Sequence, residues 1–352
     1  MAYTVDWDQT STFVREKIIP KVKDQYFKSN ALMYRLRPKA EIFTGGRNIV
    51  QPLSFAPEGG GGQWWAGSDR FDLRIRNPIT AAQFWAKNYE LPIVIDQDEE
   101  DTVDGPEKLM DLISVKTKIA QRTVMDALGG PNGIYNAGTN PKAITGLEYA
   151  LPDFTTTAPG TFPATGYGYG GIPSTASAYT WWNPQGNNTS FATGNATTVG
   201  SYLRNTNWGV WDNMLAAQAL ASGKTCSMIL CNWGVFNEGA GLINTNTTWF
   251  RPQQRSDLAQ AGINSFMYRN KDVVVDEQVP RTAGRVEKVY FIDEECVHLW
   301  VHSKRNFAFQ GWREMVDQAV RVAYIWFRGE LTFDERRSSG KHSSVDTSLS
   351  SP

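Results

Sequence analysis

The chain has 352 residues, 41% of them hydrophobic and 20% charged, so it can build a real core and is not disordered throughout. At roughly 100–200 residues per domain, two intertwined domains are expected. With 35 basic against 36 acidic residues the formal net charge is −1, without the basic excess that a nucleic-acid groove needs, so only weak, nonspecific contact with DNA or RNA is expected.

Residues 1–8 are polar and acidic and lack the charged-then-apolar pattern of a secretion signal. No run of about 18 apolar residues occurs, so no transmembrane helix and no membrane partner are expected. Residues 11–37 read as an amphipathic helix interrupted by Pro20. Phe13, Val14, Ile18 and Ile19 fall at helical spacing, and Val22, Tyr26 and Phe27 resume it. Such a kinked arm needs another surface to cover its apolar stripe, and a neighbouring copy can supply one.

Gly45 and Gly46 break the chain before an extended stretch at 48–55. Residues 70–76 alternate Phe71, Leu73 and Ile75 with Arg70, Asp72, Arg74 and Arg76, the period of a strand. Between them lies a glycine-rich tip running from Pro57 and Glu58 through four glycines to Gln63, Trp64 and Trp65. A long hairpin is predicted, with Glu58, Trp64, Trp65, Arg70, Asp72, Arg74 and Arg76 as its candidate contacts to a partner.

Residues 106–128 form the clearest helix. Asp104 can cap it, with Glu107 as capping-box partner and Pro106 in the first turn. Leu109, Leu112, Ile113, Ile119, Ala120, Val124 and Leu128 mark one face, and Gly129 and Gly130 end it. At ~1.5 Å per residue it would run roughly 35 Å. Residues 131–205 turn to Gly, Thr, Asn, Ser and aromatics, read as long ordered loops with short strands. A second α/β region follows: a helix at 207–220, a strand at 225–231, a short helix at 232–243 and strands at 263–268 and 273–279. The last part is β, with strands at 286–292, 296–302 (Val297, Leu299 and Val301 facing one way) and 319–333. The Ser-rich tail, 338–352, is expected to be disordered.

Chemical motifs are sparse. His298 and His302 share a strand face but no motif places a third metal ligand, so hydrogen-bonded or solvated histidines are expected. The acidic run Asp96, Asp98, Glu99, Glu100, Asp101 and Asp104 lacks the glycine and closing glutamate of a calcium loop, and complements the following helix dipole instead. Neither glycine run, 59–62 or 167–171, has the setting of a phosphate loop. Cys226, Cys231 and Cys296 are odd in number and lack a CxxC spacing, the pattern of buried reduced thiols in a cytosolic setting. The 13 tryptophans are spread through predicted elements as packing residues, and no serine elbow or Cys–His pairing occurs. No catalytic, cofactor or metal site is expected, and the chain reads as a non-enzyme.

An ordered series of short blocks carries a resemblance. Asp24-Gln25-Tyr26-Phe27-Lys28-Ser29-Asn30 leads into Leu32, and Thr44-Gly45-Gly46-Arg47 precedes the hairpin. Ala81-Ala82-Gln83-Phe84-Trp85-Ala86-Lys87-Asn88-Tyr89 runs into Pro92-Ile93. Asp98-Glu99 and Gly105 precede the long helix. Ile144-Thr145-Gly146-Leu147, Tyr169-Gly170-Gly171-Ile172 and Trp182-Asn183 complete the set. In this order and spacing, most of the chain resembles the tailed-bacteriophage major capsid protein family with the Hong Kong 97 fold, thinning after Asn205.

The resemblance implies an α+β, Hong Kong 97-type capsid fold: an N-terminal arm (1–45), an E-loop hairpin (46–80), a peripheral domain with its spine helix at 106–128 (81–200), an axial domain (201–285), return strands of the peripheral domain (286–337) and a flexible tail (338–352). It also implies homo-oligomers, pentamers and hexamers closing an icosahedral virion head around double-stranded DNA. Portal, and separate scaffolding or decoration proteins, are the implied partners, with assembly in the host cytoplasm. The blocks begin near residue 25, leaving no room for a fused scaffolding domain, and residues 47–76 contain no lysine, so loop-lysine cross-linking is not expected. Two alternatives stay open: an encapsulin-like nanocompartment shell, and a Trp-rich carbohydrate-binding or hydrolase protein.

Overall fold

The computed structural model describes residues 30–57, 62–70, 75–98, 106–153, 168–173, 179–187, 208–237, 265–282, 286–316 and 318–346. Most of the predicted arm, and Asp104 at the expected helix cap, lie outside them.

The described chain enters through helix α1 (Ala31–Leu36), whose Asn30 caps it by accepting from the Met33 amide at 2.6 Å. The same Asn30 donates to the Gly129 carbonyl at 2.8 Å, tying α1 to the end of the long helix. Strand β1 (Glu41–Phe43) precedes a two-stranded ribbon of β2 (Asn48–Ser54) and β3 (Ile79–Trp85), and β4 (Lys87–Asp96) follows directly. Helix α2 (Pro106–Gly129) is the predicted long helix, and Ala120, Val124 and Leu128, four apart, bury one stripe. Ile119, expected on that face, is exposed.

Short strands β5 (Gly168–Tyr169), β6 (Ile172–Pro173) and β7 (Gln185–Asn187) lead to helix α3 (Trp208–Ser222). Strands β8 (Met228–Cys231), β9 (Ser265–Tyr268), β10 (Lys271–Val275) and β11 (Arg281–Thr282) come next. The closing strands are β12 (Val286–Ile292), β13 (Val297–His302), β14 (Ala308–Glu314), β15 (Val320–Phe333) and β16 (Gly340–Asp346).

Two sheets organise these strands. One runs β1-β13-β15-β14, with β4 against the other edge of β15 over ten residue pairs from Val320↔Asp96 to Gly329↔Lys87. The other runs β7-β16-β12-β8-β10-β9, with β11 also on β12. Its middle strands are buried on both faces. Met228, Leu230, Val274, Tyr290 and Ile292 point into a large core shared with α1, α2 and the first sheet. Their neighbours Ile229, Cys231, Val273, Val289 and Phe291 point into a second core under α3, with Trp211, Met214 and Leu215. Period-two side-chain alternation thus lets one sheet wall two cores.

Two expectations are corrected. Arg70, Ile75 and Arg76 are not in a strand, and residues 71–74 lie outside the described residues; the hairpin returns instead along β3. Burial decides this: Ala82 and Phe84 of β3 reach the core, while Ile75 is exposed. The tail is not disordered over its first half. Strand β16 lies between β7 and β12, with Lys341 and His342 buried. Lys341 is held by Glu148 at 3.0 Å and Asp153 at 2.6 Å, contacts invisible in a Ser-rich stretch.

Candidate assembly surface

The ribbon is built by seven facing pairs, from Asn48↔Trp85 to Ser54↔Ile79. Ile49 and Leu53 of β2, with Ala82 and Phe84 of β3, give it one buried side that anchors its root to the core. Gly170, at φ +64°, fixes that root: its carbonyl accepts from the Gln83 amide at 2.8 Å, and a Cβ there would strike Ala82 and Phe84. The ladder extends by one bond from the Phe55 amide to the Pro78 carbonyl at 2.9 Å, and the Phe55 ring packs on Trp181 at 5.5 Å. Arg47 stacks on Trp85, 5.1 Å from its centroid.

Beyond the ladder, described residues 62–70 form a turn rather than more strand. The Gln63 amide group donates to the Arg70 carbonyl at 2.9 Å, the Ala66 amide to the Asp69 carboxylate at 3.0 Å, and Gly67 adopts φ +60° within it. Trp64 is 102% exposed, Trp65 61% and Ile75 101%. Val50, Phe55, Ile79 and Trp85 add exposed apolar surface along the ribbon. Val94, Phe309, Met315 and Val316 are exposed as well, on β4, on β14 and in the turn into β15. Scattered exposed apolar residues are ordinary in a monomer, whereas here several lie together on one two-stranded element.

Of the candidate contacts, Trp64, Trp65, Arg70 and Arg76 are exposed on this limb. Glu58, Asp72 and Arg74 lie outside the described residues. Sequence reasoning missed Val50, Phe55, Ile79 and Trp85, although the alternation at 79–85 carried the signal.

The polar interior is structural. Arg35 pairs with Asp272 at 2.7 Å and with Glu294, which Lys39 also reaches at 3.1 Å. Glu148 gathers Lys288 at 2.8 Å, Lys341 and the Tyr290 hydroxyl. Arg336 is buried, stacked 4.8 Å from the Tyr169 centroid and 5.6 Å from that of Trp182, and donates to the Ala150 carbonyl. Burial pushes the Glu330 carboxyl up to about 7 and Asp276 up to about 6. The three cysteines are free and buried, and burial pushes the Cys226 thiol up to about 12 and Cys296 up to about 11, away from nucleophilic thiolate. Among the described residues no three His, Cys, Asp or Glu side chains could together hold a metal ion, and no helix is long and apolar enough to cross a membrane.

No protein-family model matches the chain, nor does any curated protein. Solved structures do. A chain of the cyanophage A-1(L) capsid asymmetric unit is 14% identical, with TM-score 0.61, over 96% of this chain and 99% of that one. A chain from the capsid of a native GTA particle is 9% identical, with TM-score 0.58, over 98% and 100%. The holo-SrpI encapsulin complex from Synechococcus elongatus PCC 7942 contains a chain 10% identical, with TM-score 0.52, over 100% and 99%. The likeness spans both sheets, the ribbon and the long helix, and the chain therefore has the Hong Kong 97-type capsid fold.

Proposed function

We propose that this chain is the major capsid protein of a tailed bacteriophage, assembling as pentamers and hexamers into an icosahedral head around double-stranded DNA. The observation that carries this reading is the full-length likeness to phage capsid chains combined with a two-stranded ribbon that exposes Val50 and Ile79 along its outer side and Trp64 at its tip. In this reading the ribbon is the E-loop, α2 is the spine helix of the peripheral domain, and α3 with the β8–β10 strands forms the axial domain. The work is binding, not catalysis. Closed shells are built from many modest contacts repeated at every subunit, and projecting segments supply reach across neighbours. Homotypic contacts come first; portal, separate scaffolding or decoration proteins and nonspecific contact with packaged DNA complete the partners, with assembly in the host cytoplasm.

The encapsulin likeness favours a second reading, a nanocompartment shell of the same fold. Electron microscopy and nucleic-acid analysis of particles from the native source separate the two. DNA-filled heads support the capsid reading, and protein cargo without DNA overturns it.

A further inference from the structure

His298 sits on the outward face of β13 with a carboxylate at each ring nitrogen. Its Nδ1 is 2.7 Å from a Glu41 oxygen on β1, and its Nε2 is 2.7 Å from an Asp334 oxygen just past β15. A neutral imidazole has one N–H and one lone pair, whereas an imidazolium donates from both nitrogens. A neutral ring here would set a lone pair against a carboxylate at one of the two contacts. We propose that protonated His298 is a latch that clamps β1 to the sheet, and with it the root of the ribbon, and that opens when the ring loses its proton.

The strand it clamps is short and peripheral. β1 has three residues, lies at the edge of its sheet and, among the described residues, pairs with β13 alone, through Glu41↔Trp300 to Phe43↔His302. Among the described residues it is also held by the Ser303 amide donating to the Phe43 carbonyl at 3.1 Å, the Phe43 ring edge-on to His302 at 5.2 Å, and the packing of Phe43 against the main core. Gly45 and Gly46, both at positive φ, then turn the chain directly into β2 of the ribbon. Movement of β1 therefore reaches the ribbon within a few residues.

The surroundings favour the charged ring. His298 lies in a cleft of about 640 Å³, walled by Trp181, Trp300 and the uncharged face of β2 from Val50 to Ser54. The charged groups facing it are Glu41 from β1, Asp334 and Glu335 after β15, and Arg337 from the turn that follows. Glu335 is shared with Lys224 at 4.0 Å. The Asp334 hydrogen bond and the Glu41 carboxylate outweigh partial burial and raise the ring above its ordinary 6.5. The sign follows: a raised folded-state value gives stability that is fully present below 6.5 and lost as pH rises through the folded value. The latch is closed in acid and opens on the alkaline side.

The test uses the purified full-length subunit before assembly, so its outcome is independent of the shell reading. Hydrogen–deuterium exchange of peptides spanning residues 41–54 is followed from about pH 6 to about pH 9, corrected for intrinsic exchange, alongside NMR titration of the His298 ring. Protection of β1 should fall with rising pH, by up to about tenfold for each unit by which the ring's value exceeds the ordinary one. His298→Gln should give low protection that no longer varies with pH. Asp334→Asn, which keeps the ring, should move the transition to lower pH, so the test survives even if the glutamine variant folds poorly. A ring titrating at or below 6.5, or wild-type protection that tracks His298→Gln at every pH, would overturn the latch.

Discussion

Replacing Trp64 by alanine separates assembly from folding. In the subunit this side chain is 102% exposed, so its loss removes no burial and should leave the thermal midpoint unchanged. In a shell its burial against a neighbour would remove ~150–250 Å² from water. At about 25 cal/mol per Å², full burial stabilises the contact by about 4–6 kcal/mol, and half burial by about 2–3. The lower figure already corresponds to roughly a 30-fold change in the association constant. The assay is the threshold concentration for assembly, followed by light scattering and analytical ultracentrifugation, with calorimetry of the dissociated subunit beside it. The threshold should rise by at least about tenfold. An unchanged threshold would mean that the ribbon tip is not a contact, and a lowered thermal midpoint would mean that Trp64 packs within its own subunit.

Other outcomes follow from the same structure. Because residues 47–76 hold no lysine, mature particles boiled in denaturant should run as monomers on a gel; covalent ladders mapping to the ribbon would refute this. Arg70→Ala, Arg74→Ala and Arg76→Ala together should leave the subunit folded and weaken assembly, because exposed ion pairs of ~0–1 kcal/mol are repeated at every copy. The loss should show as a changed salt dependence of the assembly threshold, and an unchanged one would make the arginines mere solvated surface. Lys341→Ala should destabilise the subunit by about 3 kcal/mol in urea denaturation, because Glu148 loses one buried cation and keeps Lys288. The Glu330 carboxyl, pushed up to about 7 from its ordinary 4.5, binds its proton more tightly folded than unfolded, so subunit stability should decline as pH rises from about 4.5 to about 7. Glu330→Gln should flatten that decline, and an unchanged slope would exclude Glu330 as its source.

Elements with their own period were legible in the sequence. The Ala120, Val124 and Leu128 part of the α2 stripe, the inward row Val297, Leu299 and Val301 and the long β15 appear where periodicity put them. Strand β4 carries the same signal, since Tyr89, Leu91, Ile93 and Ile95 alternate against more exposed positions. The ribbon's return strand was misplaced because residues 70–76 alternate more cleanly than 79–85; what selects β3 is the core contact of Phe84 and the Gly170 carbonyl, both products of tertiary structure. Strand β16 carries no apolar alternation at all. Its place is set by neighbours distant in sequence, Glu148 beside Lys341 and β12 beside its backbone, which composition cannot announce. The candidate surface is legible in part for the same reason: Trp64 and Trp65 stand out beside a glycine run, while the exposed side of the ribbon appears only once its buried side is known.

The most direct test of the shell reading is electron microscopy of the purified protein, concentrated with and without a co-expressed scaffolding protein. Closed particles, or capsomers of five and six copies, are the predicted result. A protein that stays strictly monomeric under both conditions would contradict it.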